Sequence, residues 1–314
     1  MPGPESPEGP DRTDRTESPD GPDGTVTWGE LLEESTARLR ASLGERAVGD
    51  ARRIVATAAG VGDSELFLVT DRPATERGVA HLDAMVGRRA HGEPLQYVLG
   101  SWAFRTLDLM VDRRVLIPRP ETEQVVEVAL GELDRLGGRE RPTNVVDLGT
   151  GSGAIALSIA VERVRTQVWA TDVSPGALEV ASANVAGLGR PGARVRVLQG
   201  AWFAALPDEL RGAVDLVVSN PPYVATTITV PDEVARWEPA GALWSGEDGL
   251  DDLRQLVAGA GEWLTDEGVL VCELSPEQVP ALLAMAQDHF VEVRVAPDLS
   301  GRDRALVAGR PLRG

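Results

Sequence analysis

The stretch VVDLGTGSGAIALSIA, Val145 to Ala160, decides the fold. A short aliphatic run enters a glycine-rich segment and leaves it as a second apolar run of helical length, so the order is strand, loop, helix. Gly149, Gly151 and Gly153 let the backbone approach a ligand closely, with Thr150 and Ser152 between them. The start of the helix adds amide donors that have no partner within the helix. Asp172 follows about twenty residues later at the end of the next predicted strand, where this arrangement sets a carboxylate on ribose hydroxyls. Together these features predict a nucleoside-containing cofactor. Gly149-x-Gly151-x-x-Ala154 also satisfies the dinucleotide fingerprint. Asp147, two residues before the first glycine, would be a poor neighbour for a pyrophosphate and a good one for a cation. That order favours S-adenosylmethionine, which carries a sulfonium and an ammonium and no phosphate.

Outward from the loop, strands and helices alternate. Strands are predicted at 144–148, 168–172, 195–199, 214–219, 269–274, 291–296 and 305–308. Helices are predicted at 154–161, 175–185, 250–264 and 277–289, with Ser174 as an N-cap before Pro175. Alternation of this kind makes an α/β domain with a mainly parallel seven-stranded sheet covered by helices on both faces. We set this domain at 118–314. Residues 93–117 alternate apolar and polar about Gly100 and read as a linking β-hairpin. Residues 25–92 read as a small all-helical domain, opened by a capping box of Thr27 and Glu30. Residues 1–24 are Pro, Gly, Ser and acidic residues with almost nothing to bury, and read as a disordered acidic tail.

The chain has 314 residues, enough for about two domains. Its net charge of −18 argues against a partner bound through phosphates, so no direct nucleic-acid contact is expected. No window reaches the roughly 18 apolar residues of a membrane helix, and no secretory segment is apparent. With a single cysteine, Cys272, these traits place the chain in a reducing cytoplasm. His81, His91 and His289 are scattered, and no metal is expected. A monomer is the expectation.

A second stretch carries the chemistry. In DLVVSNPPYVA, Asp215 to Ala225, an apolar strand stops at Asn220-Pro221-Pro222-Tyr223. Proline has no amide hydrogen for a central ladder, so the sheet ends here, at the carboxyl edge where open α/β sheets bind ligands. A turn would be enough to explain an Asn-Pro pair. Next to a cofactor loop, an amide and fixed carbonyls can do more. The Asn220 oxygen and the main-chain carbonyl of Pro221 can each accept a hydrogen bond, the prolines hold the second carbonyl still, and Tyr223 offers a flat wall.

With both stretches in hand, the chain resembles the HemK/PrmC family of protein-(glutamine-N5) methyltransferases, which modify peptide chain release factors. EPLQYVLG, VLIPRPETE, VVDLGTGSGAIALSIA, SNPPYV, EPAGALWSGEDGLDDLRQL and GRDRALVAG stand in the family's order, from about Glu93 to the C-terminus. The resemblance implies a class I, Rossmann-like methyltransferase that methylates the glutamine of the Gly-Gly-Gln loop in class-1 release factors. It implies S-adenosylmethionine contacts at Gly149, Thr150, Gly151, Ser152, Gly153, Asp172, Trp202 and Asn220. Acceptor contacts would fall on Asn220, Pro221, Pro222 and Tyr223, with catalysis on Asn220, Pro221 and Tyr223. Pro118 to Glu121 would lie near the pocket, and the helical domain would help recognise the protein substrate. Ala201, Ala240 and Ser275 depart from the family pattern. Other readings keep the tetrapeptide and change the acceptor, to a ribosomal-protein glutamine or an adenine amino group, or drop turnover for a donor-binding module.

Overall fold

A computed structural model describes residues 25–313, so the acidic tail expected at 1–24 lies outside the described residues. The described chain divides into two compact units, one ending at His91 and the other beginning at Gly92.

The first unit contains α1 (Trp28–Leu43), α2 (Ala47–Ala59) and α3 (Glu76–Ala90). Thr27 accepts from the Glu30 amide while the Glu30 carboxylate accepts from the Thr27 amide, the reciprocal capping box predicted from the sequence. Leu31 and Leu39 of α1, Ile54 and Val55 of α2, and Leu82, Met85 and Val86 of α3 supply a small buried core. Arg89 is buried against Asp50 at 2.7 Å, an ion pair that ties the end of α3 to α2.

The second unit opens with α4 (Leu95–Leu99), followed by β1 (Ser101–Phe104) and β2 (Leu107–Met110). The hairpin expected over 93–117 is therefore confined to 101–110, and its first part is helical. Gly100 at φ 78° caps this helix in the left-handed region, where alternation read across it loses its meaning. Then come α5 (Pro120–Arg135), β3 (Thr143–Leu148), α6 (Ala154–Glu162), β4 (Thr166–Asp172), α7 (Pro175–Gly187) and β5 (Val195–Gln199). They are followed by β6 (Val214–Ser219), α8 (Asp232–Trp237), α9 (Asp251–Trp263), β7 (Leu264–Glu273), α10 (Val279–Gln287), β8 (Phe290–Pro297) and β9 (Asp303–Pro311). The short helix α8 was not foreseen, since six residues are too few to carry a helical period.

The seven-stranded sheet runs β5-β4-β3-β6-β7-β9-β8. It is parallel from β5 to β7, and β9 pairs antiparallel with both β7 and β8. From β3 the chain first builds outward through β4 and β5, then returns to add β6 and β7 on the other side. The order reverses between β3 and β6, and the crevice at that reversal is where such sheets hold ligands.

Each face of the sheet has its own core. On one, Val125, Val126, Ala129 and Leu133 of α5 and most of α6 pack against Val145, Val168, Leu216 and Val271. On the other, Leu253, Leu256, Val257 and Ala260 of α9 and Leu282 of α10 cover Val146, Leu148, Val217 and Leu270. Burial on both faces explains why β3 and β6 read as continuous apolar runs. Cys272 lies in the second core, fully buried, its Cα opposite Ser219 on β6. Among the described residues, no helix is long and apolar enough to cross a membrane.

Candidate active site

The carboxyl ends of β3, β4, β5 and β6 open into a cavity of about 390 Å³, within the range of small-molecule sites. Gly149, Thr150, Gly151 and Ser152 line it from β3, Asp172 from β4, Gly200, Ala201 and Trp202 from β5, and Asn220 and Pro222 from β6. Pro118 joins them from the segment before α5, and Gly241 and Ala242 from the turn before α9. All belong to the second unit.

The glycine loop is built as its sequence predicts. Gly149, Gly151 and Gly153 hold φ values of 72°, 56° and 85°, which side-chain-bearing residues rarely adopt. No protein atom lies within 4 Å of the place a Cβ on Gly151 would take, so a side chain there would stand in open cavity. Gly153 does not line the cavity. It is the N-cap of α6, and its own Cβ would meet Leu157 at 3.2 Å. Its glycine serves the turn. The amides of Gly149 and Thr150 are tied to the Thr171 carbonyl at 2.9 and 2.8 Å, which holds the loop against the end of β4.

Asp172 is half-buried at the cavity wall. Its carboxylate accepts from the Gly151 amide at 3.0 Å and the Ser174 amide at 2.9 Å, so the acid is already oriented by the loop it faces. Trp202 sits in the left-handed region at φ 47°, a strained position for a non-glycine residue. Its ring lies 3.3 Å from where a Gly149 Cβ would be, which makes a flat apolar wall over the glycine loop.

Asp147 does not play the part its spacing suggested. It is fully buried and does not line the cavity. Its Oδ2 accepts the Thr150 hydroxyl at 2.6 Å and the Ala156 amide at 3.1 Å, while Oδ1 has no partner among the described residues. The side chain thus caps the first turn of α6 from beneath and supports the loop from inside. Burial pushes its carboxyl up to about 7, with the Thr150 and Ala156 hydrogen bonds pulling the other way and Asp172 adding to the rise. The inference from Asp147 to a cationic ligand is corrected accordingly: strand side chains alternate across the sheet, and this one points into protein.

Asn220 lines the cavity at the end of β6. Its Nδ2 donates to the Thr122 hydroxyl at 3.1 Å. Thr122 in turn donates to Glu273 Oε2 at 2.7 Å, and the Tyr223 hydroxyl donates to Glu273 Oε1 at 3.2 Å. Of the tetrapeptide, Asn220 and Pro222 reach the cavity. Pro221 is buried, and Tyr223 is half-buried with its hydroxyl turned to Glu273. Burial chiefly raises the Tyr223 phenol well above its usual value, and the Glu273 charge adds to it, so the phenol stays protonated. Thr122 and Glu273 were not foreseen as site residues. Thr122 reaches Asn220 across 98 residues of chain and Glu273 reaches Thr122 across 151, and no local pattern signals either contact.

The segment carrying Pro118 is fixed by Arg119, which pairs with buried Glu238 at 2.5 Å. Ala201 lines the cavity, Ala240 lies in the turn that lines it, and Ser275 donates its amide to Gln278 near the end of β7.

Comparison with known proteins adds an independent line. A sequence profile described as the PrmC N-terminal domain matches residues 30–100, and one described as the methyltransferase small domain matches 132–236. The release factor glutamine methyltransferase of Xylella fastidiosa (strain 9a5c) is 44% identical over 250 residues, covering 78% of this chain and 87% of its own. That of Cereibacter sphaeroides is 37% identical over 285 residues, with 90% and 98% covered. That of Moorella thermoacetica is 39% identical over 290 residues, with 91% and 99% covered.

Proposed function

The chain belongs to the release factor glutamine methyltransferases, and from that premise we propose that it transfers a methyl group from S-adenosylmethionine to the side-chain amide nitrogen of a release-factor glutamine. The observation that carries the reading is the Asn220 amide, set in the cavity wall with its nitrogen end held by Thr122. The donor supplies a methyl group on a positively charged sulfur, open to displacement by a nitrogen lone pair.

The residues present suit that donor. Asp172 faces the cavity with its carboxylate already oriented, as ribose hydroxyls require. Trp202 offers a flat face, and Gly151 leaves room where any side chain would intrude. We assign donor binding to Gly149, Thr150, Gly151, Ser152, Asp172, Trp202 and Asn220, with Gly153 shaping the turn.

An amide nitrogen is a weak nucleophile because its lone pair is delocalised into the carbonyl. Turning an amide out of conjugation costs about 18–20 kcal/mol. Asn220 Oδ1 accepts one acceptor N–H, and the main-chain carbonyl of Pro221, between the cavity-lining Asn220 and Pro222, accepts the other. Two such bonds contribute about 1–3 kcal/mol each and cannot abolish the resonance. Most of the acceleration comes from holding the nitrogen in line with the methyl group, where proximity is worth roughly 7–11 kcal/mol. The nitrogen would bond to the methyl carbon as the carbon–sulfur bond breaks, its electron pair leaving on sulfur as a neutral thioether, and the methylated nitrogen would then lose a proton to water. A methylated amide that still carries both protons is acidic enough to need no dedicated base. Tyr223, its hydroxyl tied to Glu273, keeps the strand end rigid.

The helical unit, matched by the PrmC N-terminal domain profile, serves recognition of the protein substrate. A cytoplasmic setting follows from that substrate and agrees with Cys272, a free buried thiol. The test is mass spectrometry of release factor, a ribosomal protein and DNA after incubation with enzyme and donor. Methyl on the Gly-Gly-Gln glutamine alone is expected. Methyl on the ribosomal protein or DNA instead, or donor binding with no product, overturns the reading.

A further inference from the structure

Behind the cavity wall, Thr122 and Tyr223 converge on one buried carboxylate. Glu273, at the end of β7, is only 1% exposed. Both of its oxygens are engaged: Oε2 by the Thr122 hydroxyl at 2.7 Å and Oε1 by the Tyr223 hydroxyl at 3.2 Å. Thr122 also accepts from Asn220 Nδ2 at 3.1 Å. The proton order in this chain is dictated by the carboxylate, because an ionised carboxylate can only accept. Both hydroxyl protons must point at it. Thr122 is then left with lone pairs alone for Asn220, so the amide has to present its NH2 to Thr122. Its carbonyl oxygen becomes the end left for the cavity.

A neutral acid in the same place removes that compulsion. Its own O–H can donate to Thr122, which frees the Thr122 proton for Asn220 Oδ1 with the amide turned end for end. Asn220 would then face an acceptor amide donor to donor. A glutamine at 273 is equally ambiguous, since its amide satisfies Thr122 and Tyr223 in either orientation.

We propose that Glu273 is a positioning residue: acting through Thr122, it fixes the Asn220 amide with its oxygen toward the acceptor. This rests on the role given to Asn220 above and adds the source of that amide's orientation. The groups facing Glu273 are Glu121 and Thr122 from α5, Tyr223 from the segment after β6, and Arg304 from β9. Burial pushes the Glu273 carboxyl up to about 7, while Thr122, Tyr223 and the Arg304 charge draw it down and Glu121 adds to the rise. The ordering carboxylate is therefore lost on acidification near neutrality, and turnover falls with it.

The experiment measures single-turnover methylation of release factor at saturating donor from pH 5.5 to 8.5, with donor affinity by calorimetry as a control for folding. Wild type and Thr122→Ser, which keeps the hydroxyl, should show a rate that rises about 10-fold with pH and levels off. Thr122→Val should be flat with pH and about 10-fold or more below wild type at pH 8, with donor affinity within about two-fold. Glu273→Gln should lose the rise as well. A Thr122→Val enzyme as fast as wild type at pH 8, or a rise that persists in Glu273→Gln, overturns the proposal while glutamine methylation stands. Should Thr122→Val fail to bind donor, the contrast between Thr122→Ser and Glu273→Gln decides: a rise in the first and none in the second supports the relay, and equal profiles refute it. A wild-type enzyme that never methylates the glutamine refutes the proposed function itself.

Discussion

Replacing Asp147 by Asn tests whether the buried acid supports the loop at the expense of pH-sensitive stability. Asp147 is pushed from its ordinary 3.8 up to about 7 in the folded chain. A carboxyl raised in this way contributes stability that is whole below the unfolded value and is lost as pH rises through the folded one. Between pH 5 and pH 8 the folded form loses a proton that the unfolded form has already shed, which costs about 3 kcal/mol. The folded value already contains the opposing pull of the Thr150 and Ala156 hydrogen bonds, so the decline assignable to Asp147 is the full amount, about 3 kcal/mol. An Asn at 147 keeps an oxygen for Thr150 and Ala156 but sets its NH2 where Oδ1 now has no partner, at a cost of about 1–3 kcal/mol independent of pH. The variant should therefore be less stable than wild type at pH 5 and should draw level with it or pass it at pH 8. Urea unfolding followed by tryptophan fluorescence at both pH values reads this directly, because every tryptophan except Trp28 lies in the second unit. Stability differences between variant and wild type that match at the two pH values would refute the reasoning.

Asn220→Ala removes the acceptor's partner and should lower kcat about 100-fold or more; calorimetry should show the donor still binding. Gly151→Val forces a branched residue into φ 56° and fills open cavity, so donor affinity should fall about 10-fold or more in the same titration. Arg105 joins the β1–β2 turn to α5 and α6 through Glu127 at 2.9 Å and Glu162 at 2.7 Å. Arg105→Ala should lower unfolding stability by about 1–3 kcal/mol in urea, with donor binding unchanged.

What the sequence discloses here is what neighbours in the chain can encode. The strand, glycine loop and helix at 145–160 are legible because their signals lie within one βαβ unit. Asn220-Pro221-Pro222-Tyr223 is legible because two prolines cannot continue a central strand. Asp147 was misread from spacing alone: two residues before a glycine places a side chain in sequence, but the pleat decides which way it points. Thr122 and Glu273 were silent because α5 and β7 meet the end of β6 only through tertiary packing. The left-handed backbone of Trp202 was equally hidden, since tryptophan gives no hint of such a conformation. The helix at Leu95–Leu99 was masked by an alternation that ran across its glycine cap.

Cys272 has a consequence of its own. A protein that binds an alkylating reagent endangers its own strong nucleophiles, and thiolate sulfur is foremost among them. The chain's one cysteine lies level with Ser219, the residue before Asn220, yet within the apolar face of the sheet. Burial holds its thiol far above the usual range, so it remains protonated and shielded from the reagent. The enzyme is thus spared self-modification a single strand away from its own reaction.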